Sequence, residues 1–68
     1  MIKVDELKRK MKDKGYTINS LATASNVDKS IISRLLSDPN YNCAIGTVKK
    51  LSKALRLSNE ESVFIFLN

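Results

Sequence analysis

An all-α fold of five helices is predicted by three features of the chain. Apolar residues recur at helical spacing along nearly its whole length, cap residues punctuate that recurrence, and breakers are few, with one proline and two glycines in 68 residues. No internal repeat or low-complexity linker divides it, and a chain this short has room for one core, so a single compact domain over residues 1–68 is expected. Its margin of stability should be thin.

The first helix fits Val4 to about Lys14: Val4, Leu7 and Met11 form its apolar stripe, Asp5 and Glu6 suit its first turn, and Gly15 can serve as the C′ residue. Its lysines and Arg9 read as a solvated face, with Lys3 available as a short arm. Thr17 is the N-cap of a second helix ending near Ala24, and Tyr16 and Leu21 can pack across that cap as a hydrophobic staple. After Ser25 and Asn26 the pattern restarts. Asp28 caps a third helix running to about Leu36, Val27 staples to Ile32, and Ile31, Ile32, Leu35 and Leu36 supply its buried stripe. Ser37-Asp38-Pro39-Asn40 ends it, because a residue preceding proline is pushed out of the α region. In the fourth helix Ile45, Val48, Leu51, Ser52 and Leu55 recur, with Asn42 the candidate cap and Gly46 weakening the first turn. Ser58-Asn59-Glu60-Glu61 has the form of a capping box, so Val63 to Leu67 is expected to continue as helix despite its strand-like composition. An exchanged strand through Val63-Phe64-Ile65-Phe66 is the alternative.

Twelve Lys or Arg against seven Asp or Glu give a net charge of +5. On so small a body this favours a polyanionic partner, although lysines that only solvate helix faces would give the same excess. There is no histidine and one cysteine, Cys43, so an internal disulfide is impossible and the usual ligands of a structural zinc are missing. Glycine-rich phosphate loops and paired carboxylates are also missing, and nothing can activate the Cys43 thiol. The expectation is therefore a protein that is not an enzyme and needs no metal or cofactor, with Cys43 a small buried residue. No apolar run approaches the roughly 20 residues that span a bilayer, and the N-terminus has no signal-like apolar region. A cytoplasmic protein is expected.

Two short helices joined by about three residues form the arrangement in which one helix braces on a DNA backbone while the other enters the major groove. The run from Thr17 to Leu35, TINSLATASNVDKSIISRL, resembles the helix-turn-helix of the Cro/CI-type regulators, the lambda-repressor-like or XRE family, with Leu21-Ala22, Val27, Ile32 and Ser33 at the signature positions. Thr47 to Leu57 more loosely resembles the family's fourth helix. Two positions depart from the family pattern. Ile18 stands where a phosphate-binding glutamine is common, and Asn26 stands where a turn glycine is usual.

The resemblance implies a sequence-specific transcriptional regulator of the phage or mobile-element repressor kind, with double-stranded DNA as partner. Base contacts would come from the exposed face at the start of the third helix: Asp28, Lys29, Ser30, Ser33 and Arg34. Lys29 and Arg34 suit guanine, the serines read either kind of base, and Asp28 also caps. Phosphate contacts would come from Thr17, Asn19, Asn40, Tyr41 and Asn42, with Lys49 or Lys50 in support. The five apolar residues at the end cannot all face one core, so Val63, Phe64 and Leu67 are candidates for a homodimer interface. Two recognition helices about 34 Å apart would then read a palindrome. The competing reading is an antirepressor or antitoxin-like module acting on a regulatory protein partner, favoured by Ile18 and the apolar end.

Overall fold

The computed structural model describes residues 1–67, and five helices account for most of them: α1 Val4–Asp13, α2 Ile18–Ser25, α3 Lys29–Ser37, α4 Ile45–Ala54 and α5 Asn59–Phe66. No strand occurs among the described residues. The all-α, five-helix expectation holds, with boundaries within about two residues, the start of α4 differing most. Helix α2 packs on α3 and α4, α1 packs on α3 and α5, and α4 closes against α5. Every helix sends at least one side chain into the common core, where Leu7, Leu21, Ile32, Leu35, Leu51, Leu55 and Ile65 are almost wholly buried. Each such burial is worth about 1.5–3 kcal/mol relative to exposure.

The caps fall largely where local chemistry puts them. Gly15 takes φ 75° behind α1. Its N–H donates to the Lys12 carbonyl at 3.1 Å and the Tyr16 N–H to the Met11 carbonyl at 2.8 Å, the paired bonds of a Schellman end. Asn26 closes α2 in the left-handed region at φ 59°, which explains how asparagine stands in for a turn glycine there. The same Schellman pattern ends α4: Arg56 N–H reaches Lys53 O at 3.2 Å and Leu57 N–H reaches Ser52 O at 2.9 Å. Arg56 occupies the left-handed position at φ 54°, and no residue preference announces it. The orphan carbonyls at that end gain two further donors from α1 and its exit, since Lys14 Nζ donates to Leu55 O and Tyr16 Oη donates to Ala54 O.

Three local expectations are corrected. The N-cap of α4 is Ala44, with no side-chain cap bond, and the first ladder bond runs from Val48 N–H to Ala44 O at 3.1 Å. Asn42 is exposed two residues too early, because the half-buried Cys43 turns the chain toward the core before the helix begins. Lys3 is not an arm: its N–H donates to Ile65 O at 2.9 Å and its ammonium lies 5.2 Å from the Phe64 ring centroid. Beside it Ile2 is buried and donates to Pro39 O at 2.8 Å. Nor are the α1 cations all solvated: Lys10 is partly buried and bridges to Glu61 on α5, and Lys14 reaches the end of α4, while Arg9 stays exposed and pairs with Glu6 and Asp13 on its own helix.

The capping box of α5 is complete: Glu61 N–H donates to Ser58 Oγ at 3.1 Å and Ser58 N–H donates to Glu61 Oε1 at 2.9 Å. It overrides the strand-like composition of Val63 to Phe66, which are helical. The Lys10 ammonium on Oε2, with the Ser58 N–H second, lowers the Glu61 carboxyl from its ordinary 4.5 to about 2. Arg9 lowers Glu6, and the Ser30 N–H lowers Asp28, in the same direction. A folded-state value below the unfolded one means a contribution present in full above the unfolded value and lost as pH falls through the folded one. Thermal stability should therefore decline from about pH 5 toward pH 2. In melts followed by circular dichroism, Glu61→Gln should melt lower at neutral pH and lose less across that window. An acid limb as steep as the parent's would assign the loss to other carboxylates.

Candidate nucleic-acid interface

The N-terminus of α2 is built by a second capping box that uses a serine in place of the usual glutamate. Ser20 N–H donates to Thr17 Oγ1 at 3.1 Å, and Thr17 N–H donates to Ser20 Oγ at 2.8 Å. Ser20 was the one element of this cap absent from the sequence pattern, although a hydroxyl three residues after a Thr cap is a usable signal. The backbone N–H groups of Ile18 and Asn19 remain at this helix end without intrahelical acceptors. Amides at a helix N-terminus are suited to an anionic oxygen.

The start of α3 is fixed by Asp28, whose Oδ1 accepts from both Ser30 N–H and Ser30 Oγ at 2.9 Å. Those bonds hold its carboxyl below the usual carboxylate range, the backbone bond contributing most. Asp28 is thus an ionised cap, favoured by the positive end of α3, and Ser30 spends its hydroxyl proton on it while keeping oxygen lone pairs free. Behind this turn Val27 and Ile32 are both buried, as a staple requires, and they set the pitch at which α3 leaves the core.

The packing of α2 on α3 brings Thr17, Ile18 and Asn19 onto one shallow cleft with Lys29, Ser30 and Ser33. Five of the ten residues assigned to DNA from the sequence therefore share a single surface, three from the base-reading set and two from the phosphate set. Lys29 and Ser33 are exposed there. Ile18 is half-buried on the same surface, so its side chain meets the core's edge where a glutamine would offer an amide.

The remaining residues lie elsewhere. Arg34 is exposed toward the end of α3, with its guanidinium carbon 5.3 Å from the centroid of the Tyr41 ring. Asn40 and Asn42 are exposed in the α3–α4 connection. Lys49 and Lys50 do not join the cleft: Lys49 borders a groove with Val63 and Leu67, and Lys50 faces one with Tyr16, Asn26 and Arg56. Cys43 is half-buried, and that burial raises its thiol above the ordinary value.

A second exposed surface is apolar. Val63, Phe64 and Leu67 are each about half exposed (52%, 51% and 53%), and Ile45 at 58% borders the groove that Val63 and Leu67 share with α4. The helical course of α5 produces this split: Ile65 and Phe66 turn inward while their neighbours turn out. Among the described residues no cluster of acidic or cysteine side chains could hold a metal ion, and no helix is long and apolar enough to cross a membrane.

The family model of the Cro/C1-type HTH DNA-binding domain matches residues 6–61, which include all of α2, α3 and α4. No curated protein and no solved structure matches the chain significantly.

Proposed function

The chain belongs to the Cro/C1-type HTH DNA-binding domain family and is a DNA-binding regulator, and from that premise we propose that it is a repressor that reads a palindromic operator as a homodimer. The observation that carries this reading is the single cleft lined by Thr17 and Asn19 from α2 and by Lys29, Ser30 and Ser33 from α3. A phosphate would lie on the α2 end, where the Ile18 and Asn19 amides and the Asn19 carboxamide supply donors in place of the family's glutamine. That anchoring would present Lys29, Ser30 and Ser33 to base edges in the major groove. Asn40 and Asn42 would meet the backbone on the far side, and the net charge of +5 supplies the long-range attraction.

Val63, Phe64 and Leu67 are the proposed dimer contacts, since half-exposed apolar residues clustered on one terminal helix favour a mate that covers them. A two-fold pair would set two α3 helices about one DNA turn, roughly 34 Å, apart. Occupancy of such a site would block transcription, in the manner of the phage and mobile-element repressors that the sequence resembles. Ile18 and the same apolar surface also support a second reading, a module whose main partner is another regulatory protein.

Selection of DNA fragments by the purified protein at about 150 mM salt separates the two, because nonspecific phosphate binding is already weak there. Enrichment of a palindrome with half-site centres about 10 base pairs apart is the expected result. A folded protein that enriches no motif would overturn the repressor reading in favour of the protein-binding one.

A further inference from the structure

We propose, on the reading of the α2–α3 surface as a DNA reader, that Tyr41 is a positioning residue for Arg34, its ring holding the guanidinium where a base edge can be met. Arg34 leaves the last turns of α3 beyond the capped start of the helix, exposed, on a long side chain with many open rotamers. Nothing on α3 itself holds its end. What restrains it is the face of Tyr41, seven residues later, at 5.3 Å, within the range in which a ring quadrupole attracts a cation.

The ring is itself firmly placed. Tyr41 N–H donates to Asp38 O at 3.0 Å, closing a four-residue turn with Pro39 at its second position, where the fixed φ of proline is already suited. Asp38 Oδ1 accepts from Asn40 N–H at 3.0 Å, and Asp38 N–H donates back to Arg34 O at 2.9 Å. From outside, Ile2 N–H holds Pro39 O at 2.8 Å. The turn thus returns the chain beneath the residue it left, with Tyr41 half-buried against the core and only one face toward Arg34. A ring so employed acts through the guanidinium, whereas a phosphate contact would act through its hydroxyl.

That difference defines the test. Competition binding on the selected operator and its single-base variants is measured for the parent, Tyr41→Phe, Tyr41→Leu, Arg34→Ala and the Tyr41→Leu/Arg34→Ala double variant. Thermal melts accompany each, leucine keeping most of the apolar packing. Tyr41→Leu should lose about two- to fivefold of discrimination, the size of an exposed cation–π contact. The loss should fall at the base positions that Arg34→Ala affects, and Tyr41→Leu should add nothing in the double variant. Tyr41→Phe, which keeps the ring face, should behave as the parent. In the free protein, the ring-current shift of the Arg34 side-chain protons should persist in Tyr41→Phe and vanish in Tyr41→Leu. Uniform loss of affinity by Tyr41→Phe, with a shallower salt dependence, would make Tyr41 a phosphate contact and overturn the inference. Unchanged discrimination in a folded Tyr41→Leu would overturn it alone, while a parent that selects no sequence would remove the DNA reading together with it.

Discussion

Ile32→Ala is expected to lower the stability of the domain by about 2–5 kcal/mol, the range for removing a large buried aliphatic side chain without collapse of the space it leaves. Ile32 has no exposed surface, and it belongs to the core that all five helices share. A domain of this size has a total stability of roughly 3–10 kcal/mol at 0.05–0.15 kcal/mol per residue. The substitution therefore removes a large part of it. The melting temperature should fall by about 10 °C or more, and DNA binding at 37 °C should weaken in proportion to the unfolded fraction. Ser33→Ala, next along α3 and exposed, should melt within a few degrees of the parent. Equal melting of Ile32→Ala and the parent would mean that α3 is not seated on Ile32.

The converse result is expected at Ser33. Its side chain is exposed on the α2–α3 cleft and takes no part in capping or core packing. Ser33→Glu should leave the melting temperature nearly unchanged while placing a carboxylate against the phosphates and base acceptors of a docked duplex. Like charges brought together across an interface cost several kcal/mol, and at 1.4 kcal/mol per factor of ten the affinity should fall by about 100-fold or more. Mobility-shift titration at fixed salt reads this directly. Unaltered binding by Ser33→Glu would remove α3 from the groove and leave the cleft without its proposed role.

Taken together, the two substitutions separate the faces of one helix nine residues long. Ile32 and Leu35 hold α3 to the core, and Lys29, Ser30 and Ser33 face the cleft with α2. A helix with two such faces is determined mainly by its neighbours in sequence. That is why α3, its Asp28 cap and its Val27–Ile32 staple could be read before any fold was known. The same holds for Thr17, Gly15, Asn26 and the Ser58–Glu61 box. Each of these devices closes within about six residues, so residue type and spacing contain nearly all of the information.

Other features depended on chain segments that meet only after the helices pack. Lys10 finds Glu61 fifty-one positions away, and Lys14 finds the carbonyl of Leu55 forty-one away. In sequence both are indistinguishable from the solvated lysines around them. Lys3 looked like a free arm until Ile65 and Phe64 were beside it. Asn42 looked like a cap until Cys43, packing inward, delayed α4 to Ala44. Arg34 and Tyr41 are near in sequence, yet the turn at Pro39 decides that their side chains meet.

By itself, then, the sequence determined five helices, most of their ends and the polar face of the third, because these rest on hydrogen bonds and apolar spacing within one or two turns. Tertiary structure alone decided which cations hold the bundle together, where the fourth helix starts, and that α2 and α3 share one cleft. Those outcomes depend on the angles at which helices pack, and the angles are set by the whole core at once.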